Sequence, residues 1–303
     1  MKARLIINGK KAHLPEVHQA VNNVRQQGYP LEVRVSWEQG DIERLCVEAW
    51  QQGYDRPERR LIIGGGDGTI HEVVNSLMSY DQDKRPSIGL LPIGTANDFA
   101  KSCQLPESIE QALQFAVQGD THWVDVVKSQ HSKGCVYFIN ILSAGFGAQV
   151  TAQTPVGLKN LLGGGAYTLS GLVQAAQFQP FEIELDSEEC HFNGKIIAGA
   201  LCNGRFAGGG QELGKNAYLN DGLLQVCFLK EFPPSALTKV LTEIALYNQT
   251  GLCNGSYLVS YKCKRIKAES LEEVATNLDG EPSVLTRSVF SVVPSALRMV
   301  VNF

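Results

Sequence analysis

With 303 residues, of which 44% are hydrophobic and 19% charged, the chain has the length of two ordinary domains and the composition of a soluble globular protein. A net charge of −4 gives no support for a nucleic-acid partner, and eight scattered cysteines without a Cys-x-x-Cys pair predict free thiols rather than a zinc site. No stretch approaches the length of a transmembrane helix, and the N-terminus is typical of a first strand rather than a signal peptide, so we expect a cytoplasmic protein.

The first 120 residues alternate between apolar strands and helical patterns. Predicted strands lie at residues 5–7, 33–35, 61–63 and 88–93. Helical spacing of apolar residues follows each strand, with Asp41 and Ser108 as predicted N-caps. This alternation predicts an α/β domain with a parallel, Rossmann-like sheet covered on both faces. Ligands of such sheets bind at the carboxyl ends of the strands.

After about residue 123 the pattern changes to short strands separated by glycine and asparagine turns. This pattern predicts a mainly antiparallel β domain, a sandwich or a partly closed barrel. The predicted strands span residues 124–127, 136–142, 181–185, 196–202, 223–229, 257–263 and 289–293, and the predicted helices span 166–178 and 235–247. We therefore expect one domain of residues 1–123 with 294–303, and a second of residues 124–293.

A glycine-rich turn, residues 64–69, joins the third strand to a helical pattern. Its sequence is Gly-Gly-Gly-Asp-Gly-Thr, and its four glycines allow the backbone to turn tightly beside a ligand. Backbone N–H groups at a helix N-terminus form a site for phosphate. Asp67 would repel a polyphosphate, unless it acts through a cation or holds the loop's own donors.

A second turn of this kind follows the fourth strand. Thr95 is a candidate phosphate donor, and Asn97 or Asp98 could hold a ribose or the loop itself. Because parallel strands end at the same edge of a sheet, the two turns are predicted to converge. Asp221, in Asn-Asp-Gly, and residues 278–282, Leu-Asp-Gly-Glu-Pro, are weaker signals, because Asp-Gly is also ordinary hairpin sequence.

Together these motifs resemble the diacylglycerol kinase catalytic-domain family, which includes sphingosine and ceramide kinases. The combination with Asn203-Gly204-Arg205 and with the turns at Asp221 and Glu281 resembles the bacterial YegS-type lipid kinases in particular. The likeness runs nearly the whole length of the chain, including residues 35–41. NAD kinases share the first glycine turn, whereas the whole set of motifs is more specific.

The resemblance implies an ATP-dependent kinase that phosphorylates a lipid hydroxyl, an alcohol-group phosphotransferase. It implies Glu281 as the proton acceptor and Asp67 as a second catalytic residue, acting through magnesium or by ordering the loop. It also implies a Mg²⁺ site, or a Ca²⁺ site, made by Asp221 and the main-chain carbonyls of Tyr218 and Leu223. The implied ATP contacts are Ser36, Gly65, Gly66, Asp67, Gly68, Thr69, Ile70, His71, Glu72, Thr95 and Asn97.

The chain departs from the family pattern at His71, where many relatives have asparagine, and at Lys215, where proline is common. The acceptor stays open among diacylglycerol, phosphatidylglycerol and a sphingoid base, and we expect transient contact with the membrane that presents it. Two other functions stay open: an NAD kinase-like small-molecule kinase, and a non-catalytic nucleotide- or lipid-binding regulator. An apolar stripe at residues 169–176 is typical of a core-facing helix, or alternatively of a lipid-facing one.

Overall fold

The computed structural model describes residues 1–132, 134–145 and 180–303. The chain forms two compact units, one of Met1–Asp125 with Pro294–Phe303 and one of Val126–Val293. The predicted helix 166–178 and the apolar stripe within it lie outside the described residues. In the described ranges no helix is long and apolar enough to cross a membrane. All eight cysteines are free thiols, as the sequence predicted.

The first unit contains a parallel sheet with helices between its strands. The strands are β1 (Lys2–Asn8), β2 (Leu31–Ser36), β3 (Arg59–Gly65) and β4 (Ile88–Pro92). The helices are α1 (Pro15–Gln26), α2 (Asp41–Gln51), α3 (Asp67–Leu77), α4 (Asp98–Ser102) and α5 (Ile109–Gln118). Hydrogen bonding gives the order β2-β1-β3-β4, with every pair parallel. The four predicted strands are confirmed: β1, β2 and β3 extend beyond their predicted bounds, and β4 ends at Pro92, one residue earlier than predicted.

Helix packing follows the apolar periodicity of the sequence. The buried stripes of α1 and α5 share one core cluster with alternate residues of β1, such as Leu5 and Ile7. Helix α2 packs against α3. The predicted N-cap at Ser108 is confirmed, because its hydroxyl accepts a hydrogen bond from the backbone N–H of Gln111 at 3.3 Å.

The predicted N-cap at Asp41 is wrong by one residue. Helix α2 begins at Asp41, and the cap position is Gly40, whose φ of 86° lies in the left-handed region. The Asp41 carboxylate accepts hydrogen bonds from the backbone N–H groups of Trp37 and Glu38, at 2.6 and 3.1 Å. Asp41 therefore holds the loop that precedes the helix rather than the first turn of the helix.

The second unit is built mainly of antiparallel strands. They are β5 (Thr121–His131), β6 (Gly134–Phe138), β7 (Ile141–Gly145), β8 (Phe181–Asp186), β9 (His191–Cys202), β10 (Phe206–Ala207), β11 (Gln211–Glu212), β12 (Leu224–Lys230), β13 (Cys253–Asn254), β14 (Leu258–Cys263), β15 (Arg265–Leu278) and β16 (Glu281–Val300). The residues of β5 before Val126 and of β16 after Val293 belong to the first unit. Helix α6 (Leu237–Thr250) follows a short 3₁₀ turn, Pro234–Ala236.

Within this unit the strand order is β13-β14-β12-β9-β7-β15-β16, and β8 pairs with both β9 and β15. One apolar core cluster contains Phe138, Phe228 and Phe290, and a second lies under α6. The predicted strand 136–142 is two strands, because residues Ile139 and Asn140 form a connection between β6 and β7. Strand β15 was not predicted, since exposed charged residues interrupt its apolar alternation.

Candidate functional site

The first glycine turn is shorter than its sequence suggests. Only Gly66 separates β3 from α3, so Gly68 and Thr69 already lie in the first turn of the helix. Gly66 is the N-cap and offers no capping side chain. The first N–H groups of a helix lack partners within the helix, and the helix dipole favours an anion beside them. This end of α3 has the chemistry to hold a phosphate group.

The two glycine turns meet backbone to backbone. A Cβ added to Gly94 would lie 2.4 Å from the Cα of Gly66, and one added to Gly66 would lie 3.0 Å from the Cα of Gly94. Neighbouring parallel strands bring them together, since Gly65 pairs with Pro92 and the N–H of Ile93 bonds the Gly65 carbonyl at 3.1 Å. The predicted convergence of the turns is confirmed, and it depends on glycine at both positions.

Asp67 links the first turn to the second. Its Oδ2 accepts from the backbone N–H of Asp98 at 3.1 Å, and its Oδ1 accepts from that of Phe99 at 2.9 Å. These donors belong to the first turn of α4. The carboxylate therefore holds the N-terminus of α4 against that of α3, which is the loop-ordering role that the sequence left open.

Asn97 braces the second turn from inside. It adopts a φ of 52°, its Oδ1 accepts from the backbone N–H of Gly94 at 2.8 Å, and its Nδ2 donates to the Gly94 carbonyl at 3.1 Å. Of Asn97's two predicted roles, ribose contact and loop support, these contacts perform the second. Thr95 in the same turn is exposed.

Other predicted nucleotide residues differ in accessibility. The side chains of Thr69 and Ile70 are buried, and Thr69 packs on Gly65, where an added Cβ would lie 2.5 Å from its hydroxyl. Any contact from Ile70 to a ligand would have to use its main chain. His71 is half-buried, with its ring nitrogen Nε2 3.3 Å from the side-chain nitrogen of Asn75 one turn along α3.

A groove of about 520 Å³ lies at the ends of β1 and β2, lined in part by Ser36 and Glu72. Trp37, also on the groove, is 86% exposed, and Lys10 is the one cationic side chain among the lining residues. The backbone after β1 comes close to the end of β2 at Gly9, where an added Cβ would lie 2.6 Å from the Ser36 carbonyl oxygen. Sequence reasoning missed Trp37 and Lys10 as site residues, although an aromatic residue directly after Ser36 was a usable signal.

Electrostatics hold the loop that carries Trp37. Hydrogen bonds from the backbone of Trp37, then from the Arg44 guanidinium and the backbone of Glu38, lower the pKa of Asp41 to about 2. Arg44 donates to Oδ1 of Asp41 at 2.7 Å. The carboxylate is therefore ionised at neutral pH, and charge-assisted hydrogen bonds position the groove wall.

In the second unit, the Leu-Asp-Gly-Glu motif forms a tight hairpin turn between β15 and β16. Leu278 pairs with Glu281, and the two central residues, Asp279 and Gly280, have φ values of 50° and 99°. Two positive φ angles in a two-residue loop are typical of a type I′ turn. Glu281 is exposed at the first position of β16.

Asp279, unlike Glu281, is buried. One carboxylate oxygen accepts from the backbone N–H of Ile139 at 2.8 Å, and the other accepts from those of Asn140 and Ile141 at 2.9 and 3.1 Å. This carboxylate fixes the hairpin that carries Glu281 to the connection between β6 and β7. From the sequence alone, Asp279 has no assigned role.

The same connection receives the Asn203-Gly204 motif. Both backbone N–H groups donate to the Asn140 carbonyl at 2.9 Å, and the Asn203 side chain donates to the Ile139 carbonyl at 2.6 Å. Two motifs that are more than 70 residues apart in sequence are therefore joined through Ile139 and Asn140. The sequence pattern had placed this connecting segment inside one continuous strand, 136–142.

The predicted metal ligands lie in one turn before β12, but their surroundings do not suit a divalent cation. Oδ1 of Asp221 accepts from the backbone N–H of Leu223 at 3.0 Å, and Oδ2 accepts from Nζ of Lys262 at 2.7 Å. Among the described residues, no group of three or more acidic, histidine or cysteine side chains could hold a metal ion. Lys215 lies outside this arrangement, in an ion pair with Glu212 at 2.6 Å.

An apolar cavity of about 50 Å³ lies between α6 and the sheet of the second unit. Its lining includes Ala198 and Gly199 of β9, Phe228 of β12 and Ile244 of α6, and it is almost wholly apolar. A Cβ added to Gly199 would make only ordinary contacts, the nearest at 3.4 Å.

Comparison with known proteins covers both units. Residues 2–129 match the diacylglycerol kinase catalytic domain, and residues 140–301 match the YegS C-terminal NAD kinase beta sandwich-like domain. A "Probable lipid kinase YegS-like" protein of Shewanella frigidimarina is 41% identical over 98% of this chain and 93% of its own length. The chain belongs to the YegS-like family. A second relative with that name, from Chromohalobacter salexigens, is 42% identical over 97% of this chain and 91% of its own length.

Solved structures agree with this YegS-like fold. A crystal structure of a diacylglycerol kinase from Bacillus anthracis str. Sterne superposes with a TM-score of 0.72, over 99% of this chain and 97% of that one. At 20% sequence identity the likeness concerns the fold alone. The family predicted from the motifs is confirmed, as is a C-terminal domain of the β-sandwich-like type.

Proposed function

We propose that this YegS-like protein is a lipid kinase that transfers the γ-phosphoryl group of ATP to a lipid hydroxyl. The observation that carries the proposal is the pair of glycine turns in contact at Gly66 and Gly94, locked by Asp67, in a chain that matches a kinase family over both units. Phosphoryl transfer needs positioned phosphates and neutralised charge more than it needs covalent chemistry from the protein. A rigid cradle of backbone donors meets that need.

The first unit is proposed to bind the nucleotide. Its phosphates lie at the N-terminus of α3, with Thr95 as a further hydroxyl donor, and magnesium enters with ATP as part of the substrate. The rest of the nucleotide occupies the groove beside Ser36, where the exposed indole of Trp37 offers a face for stacking a base. Lys10 on the same groove offers a positive charge for phosphate oxygens.

The second unit is proposed to serve the acceptor. Glu281 is exposed, so its carboxylate can take the proton of an incoming hydroxyl, and Asp279 beneath it fixes the turn. A lipid acceptor is supported by the names of the relatives, which are described as probable lipid kinases. Diacylglycerol, phosphatidylglycerol and sphingoid bases, each presented by a membrane surface, are the acceptors to compare.

The decisive experiment is transfer of label from γ-³²P-ATP to an extractable lipid. The purified chain is incubated with Mg²⁺, labelled ATP and micelles of each acceptor, and parallel reactions contain NAD or no acceptor. We expect label in one lipid class and none in NAD. Label in NAD alone would replace the proposal with an NAD kinase function, and nucleotide binding without transfer to any acceptor would replace it with a regulatory one.

The role of Glu281 needs a matched control. Glu281→Gln removes the proton acceptor with little change in shape, and Glu273→Gln makes the same change at an exposed position of β15 in the same hairpin. We expect Glu281→Gln to lower kcat about 10²–10⁴-fold with the KM for ATP unchanged, the usual contribution of general base catalysis. Equal activity of the two variants, or a defect confined to ATP binding, would remove Glu281 from the chemistry.

A further inference from the structure

The turn before β12 contains a cation supplied by the chain itself. Asp221 directs one carboxylate oxygen to the backbone N–H of Leu223, at 3.0 Å, and the other to the ammonium of Lys262, at 2.7 Å. Lys262 comes from β14, which pairs antiparallel with β12, and its backbone partner there is Gln225. The register of the sheet therefore delivers the ammonium to the turn, 41 residues away in sequence.

The ammonium is enclosed on a second side by an aromatic ring. Nζ of Lys262 lies 4.6 Å from the ring centroid of Tyr218, within the range of a cation–π contact. The side chains of Lys262 and Asp221 are 22% and 25% exposed, and Tyr218, which covers the ammonium on one side, is 55% exposed. The Tyr218 side chain thus contacts the cation, although the family resemblance implied a role only for its main-chain carbonyl.

The position of this ammonium disfavours a divalent ion on the same carboxylate. Mg²⁺ and Ca²⁺ need about six or more oxygen ligands at roughly 2.0–2.6 Å. An ion at that distance from Oδ2 of Asp221 would lie close to the ammonium, and the two cations would repel. One carboxylate with one positive charge beside it is already neutralised. The amine also reaches this position on folding, without capture of an ion from solution.

We propose that Lys262 is the resident cation of the Tyr218–Leu223 turn and takes the place of a bound divalent metal. The turn is accordingly held at any divalent ion concentration, and the magnesium requirement of catalysis is confined to the nucleotide substrate. Removal of the ammonium frees Asp221, together with main-chain carbonyls of the turn, to accept Mg²⁺ or Ca²⁺. The inference concerns stability and ion binding, so it stands or falls separately from the proposed lipid kinase activity.

The test uses the full chain, without nucleotide, and three proteins. They are the wild type, Lys262→Met, which keeps an unbranched stem over Tyr218 but removes the charge, and Lys264→Met, the same change at an exposed position near the end of β14. Thermal unfolding is recorded in EDTA and in millimolar CaCl₂ or MgCl₂, and calcium binding is measured by calorimetry. An ion that binds only the folded protein raises the Tm.

We expect the Tm of the wild type and of Lys264→Met to agree within about 1 °C between EDTA and CaCl₂, with no calcium binding heat. Lys262→Met should unfold at a lower temperature in EDTA and recover part of the loss in CaCl₂, with one calcium bound. A wild type that binds one calcium ion and loses stability in EDTA would overturn the proposal, and so would a Lys262→Met protein that does not respond to either ion.

If Lys262→Met fails to fold, the wild-type measurements still decide the main point, and Asp221→Asn gives a second variant. A double-mutant cycle with Lys262→Gln should show strong coupling, because the loss from either substitution removes the same interaction. Additive losses would mean that the ion pair contributes nothing to the turn and would also overturn the proposal.

Discussion

Asp67→Asn is the most informative single substitution in the first unit. The change keeps the size of the side chain but replaces one carboxylate oxygen with an NH₂ group. In the wild type the two oxygens accept from the backbone N–H groups of Asp98 and Phe99, at 3.1 and 2.9 Å. An asparagine can accept from one of these donors and must present its own N–H groups to the other.

The expected cost follows from that geometry. A hydrogen bond to a charged acceptor contributes about 1.5–3 kcal/mol, and the variant loses at least one of the two. With a shift of about 2–4 °C per kcal/mol, the Tm of the first unit should fall by about 3–12 °C. Since Asp67 holds α4 against α3, the Gly94 turn should also move, and a displacement near 1 Å can lower kcat/KM about 10²-fold.

The assay combines thermal unfolding with ATP turnover measured over a range of Mg²⁺ concentrations, and Asp83→Asn, at an exposed position of the same unit, is the matched control. A loop-ordering role predicts a lower Tm, lower turnover and an unchanged Mg²⁺ dependence. If the variant keeps its Tm but needs far more Mg²⁺, Asp67 acts through the metal and the loop argument is refuted. Unchanged turnover would remove Asp67 from the mechanism altogether.

Three further predictions concern the same two units. Gly94→Ala places a Cβ 2.4 Å from the backbone of Gly66, so we expect about 1–3 kcal/mol of destabilisation and a rise in the KM for ATP. The control Gly199→Ala makes only ordinary contacts, so its stability and its KM for ATP should stay near those of the wild type. The pKa of Asp41 is lowered from 3.8 to about 2, so its ionised form stabilises the fold above about pH 4, and that contribution is lost as pH falls toward 2. The Tm difference between wild type and Asp41→Asn should therefore shrink between about pH 4 and about pH 2. A constant Tm difference would contradict the assignment. Asp279→Asn loses at least one buried charge-assisted hydrogen bond, so unfolding experiments should give a loss of about 1.5–3 kcal/mol, accompanied by lower kcat; a stable variant with full kcat would show that the turn needs no such anchor.

Much of the architecture followed from local sequence signals. The period of apolar residues predicted four strands of the first unit and their alternation with helices, because a strand and a helix bury residues with different spacings. Ser108 was found as an N-cap from its residue type and position. The predicted cap at Asp41 was off by one residue, because Gly40, with a φ of 86°, occupies the cap position. The Asp41 carboxylate instead holds the preceding loop.

Glycine motifs identified the family and predicted a phosphate-binding turn, because a tight strand-to-helix turn needs particular residue types at fixed spacing. The contact between Gly66 and Gly94 was also foreseeable, since neighbouring parallel strands end at one edge. What the sequence left open for Asp67 was whether its carboxylate meets a metal or a loop. Its partners lie more than 30 residues away, so only the packed structure could identify them.

The second unit shows more strongly which features follow from the sequence and which need the tertiary structure. The sequence by itself determined that short antiparallel strands, Asp-Gly turns and an acidic residue at position 281 occur there. Only the tertiary structure decided that Asp279 binds the segment Ile139–Ile141, and that Lys262 lies 2.7 Å from Asp221. Local periodicity is written into a few consecutive residues, whereas these partners are chosen by strand register and sheet order, which depend on contacts across the whole unit.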